Sequence, residues 1–186
     1  WTRTKAYSLG LGMIFLNLKG REAQGIVDPK DARTLLEEIA VQFEASTDTP
    51  VEGGPAVDVG YDAVILADAF QGPYLERCAD MMIGVAEYYR VSWETAGGKI
   101  DLQTIKAADG GVDTIGLDDV FKNNNNNWCG DHASVSPEIV QGIFFSSRPL
   151  AIPAGGVNVT HVAPTVLDLL GLNPPADWDE QPLARR

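Results

Sequence analysis

The sequence predicts an α/β fold, a layered sheet with flanking helices, and three observations predict it. Short runs of large apolar residues recur at strand length, the clearest amphipathic helix lies between two of them, and Gly- and Pro-containing breaks separate the pieces. Strands that alternate with helices bury best as layers, each element turning one apolar face to its neighbour.

The first strand is read from Gly10-Leu-Gly-Met-Ile-Phe-Leu-Asn-Leu18, which the polar turn Lys19-Gly20-Arg21 closes. The helix follows. Asp28 is a good N-cap, Pro29 suits the first helical position, and Asp31 adds negative charge where the helix dipole favours it. Ala32, Leu35, Leu36, Ile39, Ala40 and Phe43 then fall on one stripe, and Thr47 to Gly54 ends the pattern. Val57 to Leu66 reads as a second strand, Asp68 to Tyr74 as a turn or single helical turn ending at Gly72, and Asp80 to Val85 as a buried strand.

Residues 91–127 read as an irregular surface excursion, with Gly97-Gly98, Gly110-Gly111 and the uniform run Asn123 to Asn127. Asparagine disfavours both helix and strand, so that run reads as an exposed loop, and no function is placed on it. Ile143-Phe-Phe-Ser146 reads as a short strand ending at Arg148-Pro149. The last helix runs from about Val162 to Leu170, with Leu167, Leu169 and Leu170 buried, and stops at Gly171.

Size and charge bound the function. The chain has 186 residues, with 14 Lys and Arg against 26 Asp and Glu, a net charge of −12. A chain of this length buries roughly 70% of its unfolded surface and folds without disulfides. The basic clusters Arg3–Lys5, Lys19–Arg21 and Arg185–Arg186 are too short to coat a nucleic acid, although one phosphate on a small substrate is within their reach. No apolar run approaches the roughly 18 residues that a membrane span needs. Trp1 opens the chain without a charged leader, so the sequence reads as the interior of a longer protein, and no localisation follows. Cys78 and Cys129 have no metal-ligand spacing and read as reduced thiols.

Two histidines are available for chemistry. His132, in Trp128-Cys-Gly-Asp-His132, is the candidate metal ligand, and the adjacent Asp131 supports it by capping or orienting the loop, since neighbouring side chains on an extended chain diverge. His161 stands at the front of the last helix, where positive charge is unfavourable, and reads as neutral and structural. Lys19 and Arg21 follow the first strand, and ligands of open α/β sheets bind outside the carboxyl ends of strands, which makes both weak candidates for a substrate phosphate. Arg90, Trp93 and Glu94 read as an aromatic loop anchor rather than a substrate contact. Asn158-Val159-Thr160 matches a glycosylation acceptor, a pattern that is common by chance and that needs a secretory context the sequence does not show. Nucleophile elbow, Walker loop, dinucleotide fingerprint, HExxH and EF-hand patterns are all missing from the sequence.

Five segments, in order, carry a family resemblance. They are Gly12-Met-Ile-Phe-Leu-Asn-Leu-Lys-Gly-Arg-Glu22 with Gly25-Ile-Val27, Tyr89-Arg-Val-Ser-Trp-Glu-Thr95, Trp128-x-Gly-Asp-His132, Pro137-Glu-Ile-Val140 with Gly142-Ile-Phe-Phe-Ser146, and Ala163-Pro-Thr-Val-Leu-Asp-Leu-Leu-Gly171. Together they resemble the C-terminal part of a type I phosphodiesterase/nucleotide pyrophosphatase, of the alkaline phosphatase superfamily. The resemblance implies one partial catalytic domain over residues 1–186 with an alkaline-phosphatase-like layered sheet. It implies a small phosphodiester or nucleotide-like substrate, a Thr or Ser nucleophile that forms a phospho-enzyme, and two divalent metal ions, typically zinc. His132 is the one ligand it carries onto this chain; the nucleophile and other ligands belong to a family segment this chain does not resemble, so the isolated chain is expected to be inactive. The alternatives are another enzyme of the superfamily (a phosphatase, a sulfatase or a phosphoglycerate-mutase-like enzyme) and a non-catalytic α/β scaffold.

Overall fold

The computed structural model describes residues 1–92, 121 and 134–186. They belong to two compact units, Trp1–Val140 and Gln141–Arg186. The architecture is mixed α/β, but the sheet is small and antiparallel throughout its named ladders.

In the first unit, strands β1 (Ala6–Leu9) and β2 (Met13–Leu16) form a hairpin, pairing Leu9 with Met13 and Ala6 with Leu16. The hairpin explains why the apolar run Gly10 to Leu18 is not one strand. Gly10 and Gly12 turn the chain at φ 69° and 80°, conformations that L side chains resist, so the strand starts only at Met13. Tyr7 and Phe15, paired across the hairpin, stack with ring centroids 5.5 Å apart.

Helix α1 (Ala32–Glu44) follows a 3-10 turn at Pro29–Asp31. The Asp28 carboxylate accepts from the Lys30 amide, and Pro29 opens the turn, as the sequence predicts. Beyond the helix, β3 (Thr47–Asp48) pairs with β4 (Val57–Asp58) in a separate two-stranded ribbon. The predicted strand Val57 to Leu66 therefore divides at Val59. Its second part, β5 (Gly60–Ile65), joins the main sheet, and Leu66 already begins the short helix α2 (Leu66–Ala69). Strand β6 (Met81–Val85) completes the sheet in the order β1-β2-β6-β5.

The core consists of Leu16, Val27, Leu36, Ile65 and Met81, contributed by β2, the following loop, α1, β5 and β6. Leu16 and Met81 are fully buried, and such side chains each stabilise the fold by about 1.5–3 kcal/mol. Leu35, Ile39 and Ala40 of the predicted stripe pack against this cluster.

The second unit holds helix α3 (Val162–Leu169), entered through a 3-10 turn at Val159–His161 and ended by Gly171 at φ 77°. Two expectations fail here. Ile143–Ser146 is not a strand: among the described residues nothing forms a ladder with it, and Ile143 and Phe145 are 82% and 87% exposed. An apolar run makes a strand only where a partner supplies hydrogen bonds. Of the three leucines expected to be buried, Leu167 and Leu169 are half-buried and Leu170 is 70% exposed, and the helix instead buries Pro164 and Thr165. The returning C-terminal segment selects that face: the buried Leu183 donates its amide to Thr165 Oγ1 at 2.9 Å, and Thr165 Oγ1 donates to His161 O at 2.6 Å. Among the described residues no helix is long and apolar enough to cross a membrane.

Candidate functional site

Charged side chains concentrate where β2 leaves the sheet. Strand β6 pairs with β2 only as far as Ile14 and Met81, so the backbone of Leu16 continues beyond the ladder. Side chains complete it. Asp80 Oδ2 accepts from the Leu16 amide at 2.6 Å, and Arg21 Nη2 donates to Leu16 O at 2.7 Å. The two side chains then meet each other: Arg21 Nη1 and Nη2 donate to the two Asp80 oxygens at 2.8 and 2.7 Å.

Glu22 extends the network. Its Oε1 accepts from Arg21 Nε at 2.8 Å and from the Tyr7 hydroxyl at 3.0 Å, while Oε2 accepts from the Leu18 amide at 2.7 Å. Hydrogen bonding to Asp80, with a further contribution from Glu22, pushes the Arg21 guanidinium above its ordinary value against the opposing effect of burial. Burial, and then the Glu22 carboxylate, push the Tyr7 phenol upward.

Behind this surface lies Asn17, fully buried. Its Nδ2 donates to the carbonyls of Thr4, Trp1 and Gln24 at 2.9–3.2 Å, and its backbone oxygen accepts from the amides of Ile26 and Val27. Asn17 thus ties the first residues and the 18–27 loop to the end of β2. Gly25 is obligatory there, because a Cβ would strike the Leu18 carbonyl.

Arg21, a sequence candidate for a substrate phosphate, is therefore engaged by two carboxylates, and the group around its one positive charge is net negative. Lys19 is exposed in the same turn, its amide bonded to Val27 O at 2.9 Å. His132 and Asp131 lie outside the described residues, as do Trp93, Glu94, Cys129 and the Asn123–Asn127 run.

The residues that follow His132 in sequence dock elsewhere. Ser134 Oγ donates to Val85 O at 3.3 Å, and Ser136 is fully buried against Gly84. Both sit at the carboxyl end of β6, whereas Asp80 marks its beginning. Because β2 and β6 are antiparallel, Lys19 and Arg21 lie at the opposite end of β6 from Ser134 and Ser136. Tyr61 on β5 donates to Glu138 Oε2 at 2.6 Å and holds the same segment.

Among the described residues, no three His, Cys, Asp or Glu side chains come together to hold a metal ion. His161 has a structural position, as predicted. Its Nδ1 accepts from the Asn158 amide at 3.2 Å and its Nε2 lies 3.3 Å from Glu180 Oε2, which puts the ring proton on Nε2. Sequence reasoning missed Asp80 and Asn17. The one available signal for Asp80 was an acid placed directly before an apolar strand. No family model, curated protein or solved structure matches the chain.

Proposed function

We propose that this chain is the C-terminal part of a metal-dependent hydrolase of phosphodiesters, similar to the type I phosphodiesterase/nucleotide pyrophosphatase group and sharing its layered alkaline-phosphatase-like fold. The observation that carries the reading is the ordered set of five segments, above all Trp128-x-Gly-Asp-His132 followed by Pro137-Glu-Ile-Val140. Helix α3, which covers most of the Ala163–Gly171 segment and ends at Gly171, supports it, as does the docking of Ser134 and Ser136 on β6 directly after the Gly-Asp-His segment.

In this reading His132 is the chain's ligand to one of two divalent ions, most often zinc, and Asp131 orients it. The ions would activate a Thr or Ser nucleophile and stabilise charge at phosphorus. Nucleophile and remaining ligands come from a preceding segment of the protein. Arg21 holds the end of β2, and because it and Lys19 lie at the end of β6 opposite the segment that follows His132, this reading assigns neither to the substrate phosphate.

The test compares two polypeptides in zinc-containing buffer with bis(4-nitrophenyl) phosphate as substrate. Residues 1–186 alone should show no turnover. The longer polypeptide with the preceding segment should turn over, and His132→Ala should lower its rate by more than the about 10–100-fold that loss of a residue merely supporting a ligand costs. Turnover by the 186-residue chain alone, or a longer polypeptide indifferent to His132→Ala, overturns the proposal.

A further inference from the structure

We propose that Asn158 is an N-glycosylation site, its side-chain amide presented by the folded chain to a transferase that uses a nucleotide-activated hexose. The inference is independent of the hydrolase reading. The acceptor pattern Asn158-Val159-Thr160 has no proline at its middle position, and all three residues are exposed, Val159 to 81%.

The fold fixes this tripeptide in one conformation without using the reactive atom. Asn158 Oδ1 accepts from the Thr160 amide at 3.3 Å, and the Asn158 backbone amide donates to His161 Nδ1 at 3.2 Å. Among the described residues Asn158 Nδ2 makes no hydrogen bond, so a sugar on that nitrogen leaves the cap of the following turn intact. The approach is open as well. Residues 152–156 are exposed, and a Cβ at Gly155 or Gly156 would meet nothing within 4 Å.

The step balances on the donor named. Asn158 Nδ2 forms a bond to the anomeric carbon of the hexose while the bond from that carbon to the phosphate oxygen breaks. The nucleoside diphosphate leaves with the electron pair, and one Nδ2 proton passes to a base of the transferase.

The experiment incubates the folded 186-residue chain and, separately, a synthetic peptide of residues 153–165 with a soluble N-glycosyltransferase and its nucleotide–hexose donor. Occupancy at Asn158 is read by mass spectrometry. The folded chain should reach at least half the occupancy of the peptide. Occupancy should vanish in Asn158→Gln and in Thr160→Ala and return in Thr160→Ser. A modified peptide beside an unmodified folded chain overturns the claim that the fold presents the site, and no modification of either overturns the site itself.

Discussion

Arg21 and Asp80, 59 residues apart in sequence, grip each other through two hydrogen bonds of 2.8 and 2.7 Å and between them satisfy both backbone groups of Leu16. The pair replaces a rung that β6 does not supply. Its side chains are partly exposed, at 31% and 17%, so solvent screening weakens the charge attraction and the covered backbone matters more. Asp80→Ala should therefore destabilise the chain by about 1–3 kcal/mol, mostly through the uncovered Leu16 amide, since the guanidinium keeps Glu22 and Leu16 O as partners. Urea unfolding should show a lower midpoint with an unchanged slope. Asp80→Asn, which keeps an acceptor for Leu16, should cost less than Asp80→Ala.

Tyr7 gives the pH dependence a sign. Burial and Glu22 raise its phenol above the ordinary value of 10.0, so between that value and its folded value the native chain holds a proton that the unfolded chain has lost. The contribution of Tyr7 to stability is fully present below pH 10 and is lost as pH rises through this window. Tyr7→Phe should flatten the alkaline limb of a stability-against-pH curve measured by urea unfolding. Tyr61 and Tyr89, raised by Glu138 and by burial with Asp48 respectively, should join Tyr7 in ionising late in a phenol absorbance titration.

Leu36 is the one buried residue of α1 and belongs to the cluster built with Leu16, Val27, Ile65 and Met81. Leu36→Ala should cost about 2–5 kcal/mol in thermal or urea unfolding, whereas Asp28→Ala, which removes only the cap on Lys30, should cost about 1 kcal/mol. An equal effect of the two would show that α1 depends on the capped 3-10 turn before it as much as on its buried face.

These residues also mark what local sequence discloses. Asp28, Pro29 and the stripe through Phe43 are read within one helix, and β6 is a compact apolar run, so both were legible. Strand β1 was not: Ala6-Tyr7-Ser8-Leu9 has no alternation of its own and becomes a strand because Gly10 and Gly12 fold β2 back onto it. Ile143–Ser146 fails in the opposite way, with strand composition and no ladder among the described residues. At the candidate site, Lys19 and Arg21 were found by type, but Arg21's engagement depends on Asp80, and no spacing rule joins positions 59 apart. His132 rests on its sequence context, outside the described residues.

Gly84 and Ser136 show how tightly the segment after the Gly-Asp-His motif is seated. A Cβ on Gly84 would collide with Ser136 Oγ and come within 3.2 Å of Ser136 Cβ and of its backbone nitrogen, while that hydroxyl is buried without a hydrogen-bond partner among the described residues. Two substitutions should therefore move stability in opposite directions. Gly84→Ala should destabilise by about 1–3 kcal/mol, because the backbone of Ser136 cannot yield as a flexible side chain would. Ser136→Ala removes an unsatisfied hydroxyl and should be neutral or stabilising by up to about 1 kcal/mol. If residues 134–140 are seated on β6 by this contact, Gly84→Ala should also speed proteolytic cleavage within them, and adding Ser136→Gly should recover part of the loss. Additive effects in the double variant, with no recovery, would place the strain of Gly84→Ala somewhere other than against Ser136.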